Sequence, residues 1–370
     1  MLEANACRHR PLCRAARRGG CLLRTYRTLL LTAVLTAAVS WLVVTLAGSA
    51  TIRGASFAGP AASTSPSKSD KPVAAFSLLS DIHVQEDDKL SQKLFVKALK
   101  YHYSIKPDAD MLLLNGDLTN GGKEDFDKLR ELLDSNPHAP VYATMGNHEF
   151  YGMWRHGGIY DYSKLGSGWS SAKAVAQFAD FFGYSKLHRE VSVHGIPFLL
   201  MSGEAYRDVD ASIAEDAYLS DEQLDWLETR LVEHRDRRSA KSGSSEETDL
   251  PALVFLHQPL PDTLDGSSIE RGVVQHERLR SILDKYPFAV LFSGHTHWDW
   301  ETTDQVWSGP FTAIGSASVR SVYGPDNKPV DPVKSESLFV EVYSGRLVIR
   351  AIDHEDDSWI GDQTVIKWNP

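Results

Sequence analysis

The segment AAFSLLSDIH, residues 74–83, decides the fold class of this chain. It begins as a short apolar run of the kind that forms a buried β-strand. The run ends almost directly at a carboxylate and an imidazole, Asp81 and His83. Because strand ends lie along one edge of a sheet, side chains placed there can meet polar groups from distant parts of the chain. The segment therefore predicts a sheet with a functional site at the edge where its strands end.

The same order of elements recurs along the chain. Strands are predicted at Ala74–Leu79, Met111–Leu114 and Val141–Met145, with helices between them at Lys89–Tyr101 and Glu124–Leu133. Four more polar clusters follow apolar runs: Gly116-Asp117, Gly146-Asn147-His148-Glu149, His257 and Gly294-His295-Thr296-His297. This alternation predicts an α/β domain with right-handed crossovers and a largely parallel sheet.

Other segments depart from that alternation. Residues 150–171 are rich in Tyr, Trp, Gly and Ser and predict a long loop directly after a polar cluster. The polar segment Arg237–Asp249 predicts a disordered surface insertion. Near the C-terminal end, alternating patterns predict two short strands, Leu338–Tyr343 and Leu347–Ile352.

The five polar clusters, taken in order, resemble the calcineurin-like metallophosphoesterase superfamily, whose motifs run D-x-H, G-D, G-N-H-[DE], H and G-H-x-H. The resemblance extends from Ala74 to Trp300. It implies a four-layer α/β/β/α sandwich, in which two sheets pack together with helices outside. It also implies an enzyme that hydrolyses phosphate esters at a centre of two divalent metal ions.

The resemblance also implies the metal ligands. It makes Asp117 the bridge between the two ions. The other ligands are Asp81, His83 and His297 for one ion and Asn147, His257 and His295 for the other. Oxygen and imidazole donors without thiolate suit Mn²⁺, Fe or Zn²⁺. The chain departs from the purple acid phosphatase branch, whose tyrosine ligand follows the Gly-Asp motif, because residues 118–120 are Leu, Thr and Asn.

His148 is the candidate for acid catalysis, since it follows a metal ligand directly and a protonated imidazole can donate to a leaving group. Glu149 is a candidate for orienting the ligands or for a purely structural role. Arg155, His156 and Trp298 are candidates for substrate binding. The aromatic residues around them could equally serve to pack the loop.

The N-terminal part predicts a membrane protein. Residues 1–27 contain seven arginines and one acid, and an uncharged apolar run follows. We predict a basic cytoplasmic tail (1–27), a transmembrane signal anchor (28–48), a flexible linker (49–72) and a catalytic domain (73–370) outside the cytoplasm. A cleaved signal peptide, giving a secreted protein, is the alternative, since small residues follow at 48–50.

Charge and cysteine content narrow the function. The formal net charge is −10 although the tail is basic, so a nucleic-acid-binding surface, and with it a nuclease, is disfavoured. All three cysteines, Cys7, Cys13 and Cys21, precede the apolar run, which excludes disulfides from the predicted catalytic domain.

The sequence predicts hydrolysis of a small-molecule or lipid-derived phosphodiester outside the cytoplasm. A phosphomonoesterase and a non-catalytic binding module are the alternatives.

Overall fold

The computed structural model describes residues 71–241, 249–268 and 272–368. The predicted tail and membrane segment, and nearly all of the predicted linker, lie outside these ranges. Within the ranges, no helix combines the length and the hydropathy that crossing a bilayer requires. The N-terminal anchor therefore stays a prediction.

The described residues form strands and helices in alternation. In chain order the strands are β1 (Ala74–Leu79), β2 (Met111–Asn115), β3 (Val141–Thr144), β4 (Arg155–His156), β5 (Ile159–Tyr160), β6 (Arg189–Val193), β7 (Ile196–Leu200), β8 (Ala252–Phe255), β9 (Ala289–Ser293), β10 (Val306–Ser308), β11 (Thr312–Gly315), β12 (Glu336–Tyr343), β13 (Arg346–Asp353) and β14 (Ser358–Lys367). The α-helices are α1 (Lys89–Ile105), α2 (Lys123–Asp134), α3 (Ser171–Phe182), α4 (Asp221–Lys241) and α5 (His276–Leu283).

Two six-stranded sheets carry the fold. The first has the order β14-β13-β12-β1-β2-β3, and the second has the order β10-β11-β9-β8-β7-β6. The predicted parallel pairing is present where the polar clusters follow the strands, between β1, β2 and β3 and between β8 and β9. Antiparallel strands complete both sheets, so each sheet is mixed.

An apolar core joins the two sheets face to face. The ring of Phe76 on β1 meets Phe198, Phe255 and Phe292 of the second sheet at centroid distances of 5.1, 6.0 and 6.1 Å. All four rings are fully buried. Full burial of one such side chain contributes about 1.5–3 kcal/mol, so this cluster helps to hold the two sheets together.

Helices cover the outer faces of both sheets. Leu94 and Phe95 of α1 and Phe126 of α2 share a core with Leu112 and Leu114 of the first sheet. In the second half of the chain, leucines of α4 and α5 pack into the same core as β7, β8 and β9. The structure is thus a mixed α/β fold with two sheets between helices.

Two local predictions were wrong, and one strand was not predicted. Helix α4 runs to Lys241, so residues 237–241 do not belong to a disordered insertion. Arg238 extends the helix because its Nη2 donates to Asp249 Oδ1 at 2.9 Å and its guanidinium lies over the Phe288 ring. The predicted loop 150–171 contains part of a 3₁₀ helix, His148–Trp154, and the β4–β5 ribbon. Strand β14 was not predicted, because most of its residues are exposed and its apolar residues do not alternate regularly with polar ones.

Candidate metal centre

The carboxyl ends of β1, β2, β3, β8 and β9 place the predicted metal ligands at one edge of the two sheets. Five of the seven ligands have a left-handed backbone, with φ between 42° and 69°: Asp81, His83, Asp117, His295 and His297. Non-glycine residues adopt this conformation at a cost of about 1–3 kcal/mol each, and they persist only where surrounding structure holds them.

The first ligand group consists of Asp81, His83, Asp117 and His297, whose donor atoms all lie within 4.8 Å of one another. His297 Nε2 is 2.9 Å from Asp81 Oδ1 and 3.3 Å from His83 Nε2. His83 Nε2 is 3.9 Å from Asp117 Oδ2. Four donors converging on one small volume are the arrangement that a metal ion requires.

The second ligand group consists of Asp117, His257 and His295, also within 4.8 Å. His257 Nε2 lies 3.2 Å from Asp117 Oδ2. Asn147, the predicted amide ligand of this group, lines the same cleft as Asp117 and His295, and its Oδ1 is buried without a hydrogen-bond partner, which leaves that oxygen available to a cation. Asp117 belongs to both groups, so one carboxylate connects them.

Hydrogen bonds fix which atom each ligand presents. The Nδ1–H groups of His257 and His297 donate to the carbonyl oxygens of Asn115 and Ser321, each at 2.7 Å, which leaves both Nε2 atoms as donors to a metal. Asp81 Oδ2 accepts hydrogen bonds from Ser80 Oγ at 2.6 Å and from the backbone N–H of His295 at 3.1 Å. The other carboxylate oxygen, Oδ1, is thereby left free to bind a metal ion. Such outer partners orient metal ligands and tune their basicity.

Glu149 shapes the turn that carries Asp117. Its carboxylate accepts four backbone N–H groups, those of Asp117, Leu118, Thr119 and Gly146, at 2.8–3.1 Å. Burial, with the nearby charge of Asp117, raises the pKa of Glu149 to about 7. From the sequence, Glu149 was a candidate either for orienting the ligands or for a structural role. Its hydrogen bonds show that it holds the second and third polar clusters together.

Electrostatics favour cations at this edge. Burial alone would raise the pKa values of Asp81 and Asp117, but neighbouring histidines outweigh it and hold both pKa values below the ordinary range. Burial lowers the pKa of His257, but Asp117 and Asp81 together raise it to about 9. Two ionised, buried carboxylates with imidazole and amide donors fit divalent ions such as Mn²⁺, Fe²⁺ or Zn²⁺.

Glycines let the ligand turns approach one another. A Cβ on Gly294 would overlap Ser80 Oγ and Asp81 Oδ2, and a Cβ on Gly146 would overlap Asp117 Oδ1. Asp81 and Asp117 are themselves predicted ligands, and Ser80 Oγ is bonded to Asp81 Oδ2. None of these side chains could make room without moving a ligand. The glycines in these motifs therefore make room for the metal ligands.

Gly294→Ala is expected to lower the free energy of unfolding by about 1–3 kcal/mol, the usual cost of overpacking, and to weaken metal binding by displacing Asp81. Chemical denaturation and metal content after dialysis measure the two effects. Gly324→Ala is the matched control, because the nearest atom to its Cβ would be Asp326 Oδ1 at an ordinary 3.5 Å. Equal stability of the two variants would contradict the close approach at Gly294.

A cleft of about 340 Å³ opens over both ligand groups. It is lined by His83, Gln85, Asp88, Asp117, Asn120, Asn147, His148, Tyr151, Glu215, His295, His297, Arg320, Ser321 and Tyr323. Asn120, Glu215 and Arg320 were not predicted from the sequence. None of them lies in a motif; only the position of Asn120 three residues after Asp117 offered a local signal.

His148 lies at the wall of this cleft. Its Nδ1 is 2.7 Å from Asn120 Oδ1, to which it donates, and its Nε2 is 3.8 Å from Asp117 Oδ2. The Tyr151 ring stacks on the imidazole at 3.9 Å. Burial lowers the pKa of His148, although the charge of Asp117 partly opposes this. The structure brings His148 to the ligand groups without making it a member of either.

The three predicted substrate-binding residues lie elsewhere. Arg155 Nη1 donates to Glu124 Oε2 at 2.6 Å, and His156 Nε2 lies 3.0 Å from the carbonyl oxygen of Lys164. Trp298 is buried, with its ring against Gly266. None of the three is among the residues that line the cleft. A role in substrate binding for them stays a prediction.

Comparison with known proteins identifies the family of this chain. The family model described as calcineurin-like phosphoesterase matches residues 76–299, which include every predicted ligand. The chain belongs to the calcineurin-like phosphoesterase family. A dimetal phosphatase of Danio rerio shares the fold, with a TM-score of 0.55 and 15% identity over 81% of this chain and 100% of that one.

Two curated relatives are phosphodiesterases by name. A probable glycerophosphodiester phosphodiesterase of Arcobacter nitrofigilis is 24% identical over 234 residues, which are 59% of this chain and 70% of the relative. A 3′,5′-cyclic-nucleotide phosphodiesterase of Nostoc is 25% identical over 240 residues, which are 62% of this chain and 73% of the relative.

Proposed function

We propose that this protein is a phosphodiesterase that works with two divalent metal ions. The observation that carries the proposal is the shared carboxylate: Asp117 belongs to two separate groups of ligands at the floor of one cleft. When bound, two such ions stabilise phosphate oxygens and lower the pKa of a water that attacks phosphorus.

The chain supplies the rest of the chemistry through its own side chains. Asp81, Asp117 and the imidazole Nε2 atoms would hold the ions, and Asn147 Oδ1 would complete the second group. Because Nδ1–H of His148 donates to Asn120 Oδ1, Nε2 is the nitrogen that can take up a proton and pass it to the departing alkoxide. This role is general acid catalysis, in which a positioned imidazole gives a proton to the leaving oxygen.

Two features support a diester rather than a monoester as the substrate. Both curated relatives are named as phosphodiesterases. Among the residues that line the cleft, Arg320 is the one lysine or arginine, and its Nε already pairs with Asp88 at 2.8 Å. With so little permanent positive charge beyond the metal ions, the cleft suits the single charge of a diester better than the two charges of a monoester.

We also propose that the catalytic domain works outside the cytoplasm. The support is the apolar run from Thr28 to Ala47 preceded by seven arginines, the charge asymmetry that retains an N-terminus in the cytoplasm. A cleaved signal peptide would give a secreted enzyme instead. Protease treatment of intact cells tests the location: the domain is degraded if it is exposed and survives if it is cytoplasmic.

The activity is tested with the purified full-length protein and two chromogenic substrates, bis(p-nitrophenyl) phosphate and p-nitrophenyl phosphate. With Mn²⁺ added we expect the diester to be cleaved with a kcat/KM at least about tenfold above that of the monoester, a margin of about 1.4 kcal/mol. Chelation should remove both activities. A monoester preference would identify a phosphomonoesterase, and no turnover with both ions bound would favour a binding module.

A further inference from the structure

Glu215 lies at the wall of the cleft and makes four side-chain hydrogen bonds. Its Oε2 accepts from Asn147 Nδ2 at 2.9 Å and from the Tyr151 hydroxyl at 3.1 Å. Its Oε1 accepts from the Tyr206 hydroxyl at 2.6 Å and from Arg207 Nη2 at 2.7 Å. One carboxylate therefore connects a candidate metal ligand, an aromatic ring of the cleft and an arginine behind them.

We propose that Glu215 is a positioning residue that turns the amide of Asn147 so that its oxygen, and not its nitrogen, is presented to the second metal ion. This inference rests on the proposed two-metal function. An asparagine side chain has nearly the same shape in both orientations, and only its oxygen can bind a cation. A carboxylate accepts hydrogen bonds and cannot donate them when ionised, so it selects the orientation in which Nδ2 faces Glu215.

The unpaired oxygen of Asn147 is the second observation. With Nδ2 bonded to Glu215, Asn147 Oδ1 is buried and has no hydrogen-bond partner. A buried carbonyl oxygen without a partner is costly unless it has a ligand. The hydrogen bond from Nδ2 to Glu215 therefore leaves Asn147 Oδ1 as the atom available to a metal ion.

The same carboxylate also reaches the candidate catalytic histidine. Its Oε2 holds the Tyr151 hydroxyl, and the Tyr151 ring stacks on His148 at a centroid distance of 3.9 Å with an interplanar angle of 28°. Glu215 thus fixes the ring against which the imidazole rests. The metal ligand and the imidazole share one support.

Arg207 makes Glu215→Gln an informative variant. The guanidinium can only donate, so a glutamine at this position is expected to place its oxygen toward Arg207 and its NH₂ toward Asn147. Two NH₂ groups would then face each other, and Asn147 would turn its own oxygen away from the metal. Because outer partners of metal ligands are worth about 10–100-fold in affinity, we expect a loss of that size at one of the two sites.

Equilibrium dialysis of the full-length, chelator-treated protein against Mn²⁺ measures the affinity and the number of ions without relying on turnover. Glu215→Gln should retain one tight site and weaken the other. The double variant Asn147→Asp with Glu215→Gln should recover the weakened site, because an aspartate at 147 presents oxygen in both orientations and accepts from the new NH₂. Unchanged affinity in Glu215→Gln would overturn the inference.

Tyr206→Phe is the matched control, since it removes one hydrogen bond to Glu215 Oε1 but leaves the amide of Asn147 constrained. It should bind both ions with wild-type affinity. Thermal unfolding of every variant shows whether it is folded, and a loss of affinity equal in Tyr206→Phe and Glu215→Gln would make Glu215 merely structural. If the wild-type protein itself binds fewer than two ions, the proposed function fails, independently of Glu215.

Discussion

Replacing Asp117 by asparagine is expected to abolish hydrolysis and to empty both metal sites. Asp117 is the one residue present in both ligand groups, and its Oδ2 lies 3.2 Å from His257 Nε2 and 3.9 Å from His83 Nε2. The substitution removes the negative charge that both cations share while it keeps the shape of the side chain. Bound metal ions supply several kcal/mol of transition-state stabilisation, so kcat/KM should fall by about 10³-fold or more.

Metal content after dialysis and kcat/KM for the diester measure the two losses. Asp110→Asn is the matched control, because Asp110 Oδ2 also accepts a hydrogen bond from the first sheet, from Ala75 N at 2.9 Å, but lies outside both ligand groups. It should retain metal and activity. An Asp117→Asn protein that still holds two ions would show that this carboxylate does not connect the sites, and the two-metal proposal would have to be abandoned.

The sequence predicted the ligand strands because their information is local. Each polar cluster closely follows a short strand, so the apolar run and the polar motif appear together, as in Ala74–Leu79 followed by Asp81 and His83. Parallel pairing then carries the strand ends to one edge. The strained backbone of Asp81 and His83 has no signal in the sequence apart from the motif itself.

Glu215 and Arg320 could not be predicted, for a physical reason. Each lies in an irregular segment without periodic neighbours, and each acquires a role only through partners far away in sequence: Asn147 for Glu215 and Asp88 for Arg320. The end of helix α4 was predicted wrongly for a different reason. Its last turn looks like a polar insertion, and it is the contact of Arg238 with Asp249 and Phe288 that keeps it helical.

The aromatic loop shows why composition alone could not tell which of its residues line the cleft. Arg155 and His156 follow Gly146-Asn147-His148 closely in sequence, yet the 3₁₀ helix His148–Trp154 carries them away from the cleft. Tyr151, on the same helix, lies in the cleft and stacks on His148. Which residue of such a segment points toward the ions depends on a helical turn that the sequence did not reveal.

His148→Ala should separate metal binding from turnover. His148 is in neither ligand group, and its Nε2 lies 3.8 Å from Asp117 Oδ2, close enough to serve a leaving oxygen above the ions. Loss of a general acid costs about 10²–10⁴-fold in rate, so kcat should fall by that factor while both ions remain bound. Metal content and steady-state kinetics on the same preparation measure both quantities.

Asn120→Ala tests how the imidazole is held. The Asn120 side-chain oxygen accepts from His148 Nδ1 at 2.7 Å and so reserves Nε2 for the reaction. Without it the ring can rotate or change tautomer, and we expect a loss in kcat of about tenfold, the scale of one hydrogen bond at about 1.4 kcal/mol. The two variants together locate the role of His148: if His148→Ala also releases metal, the imidazole supports the metal sites, and the assignment of acid catalysis to it is wrong.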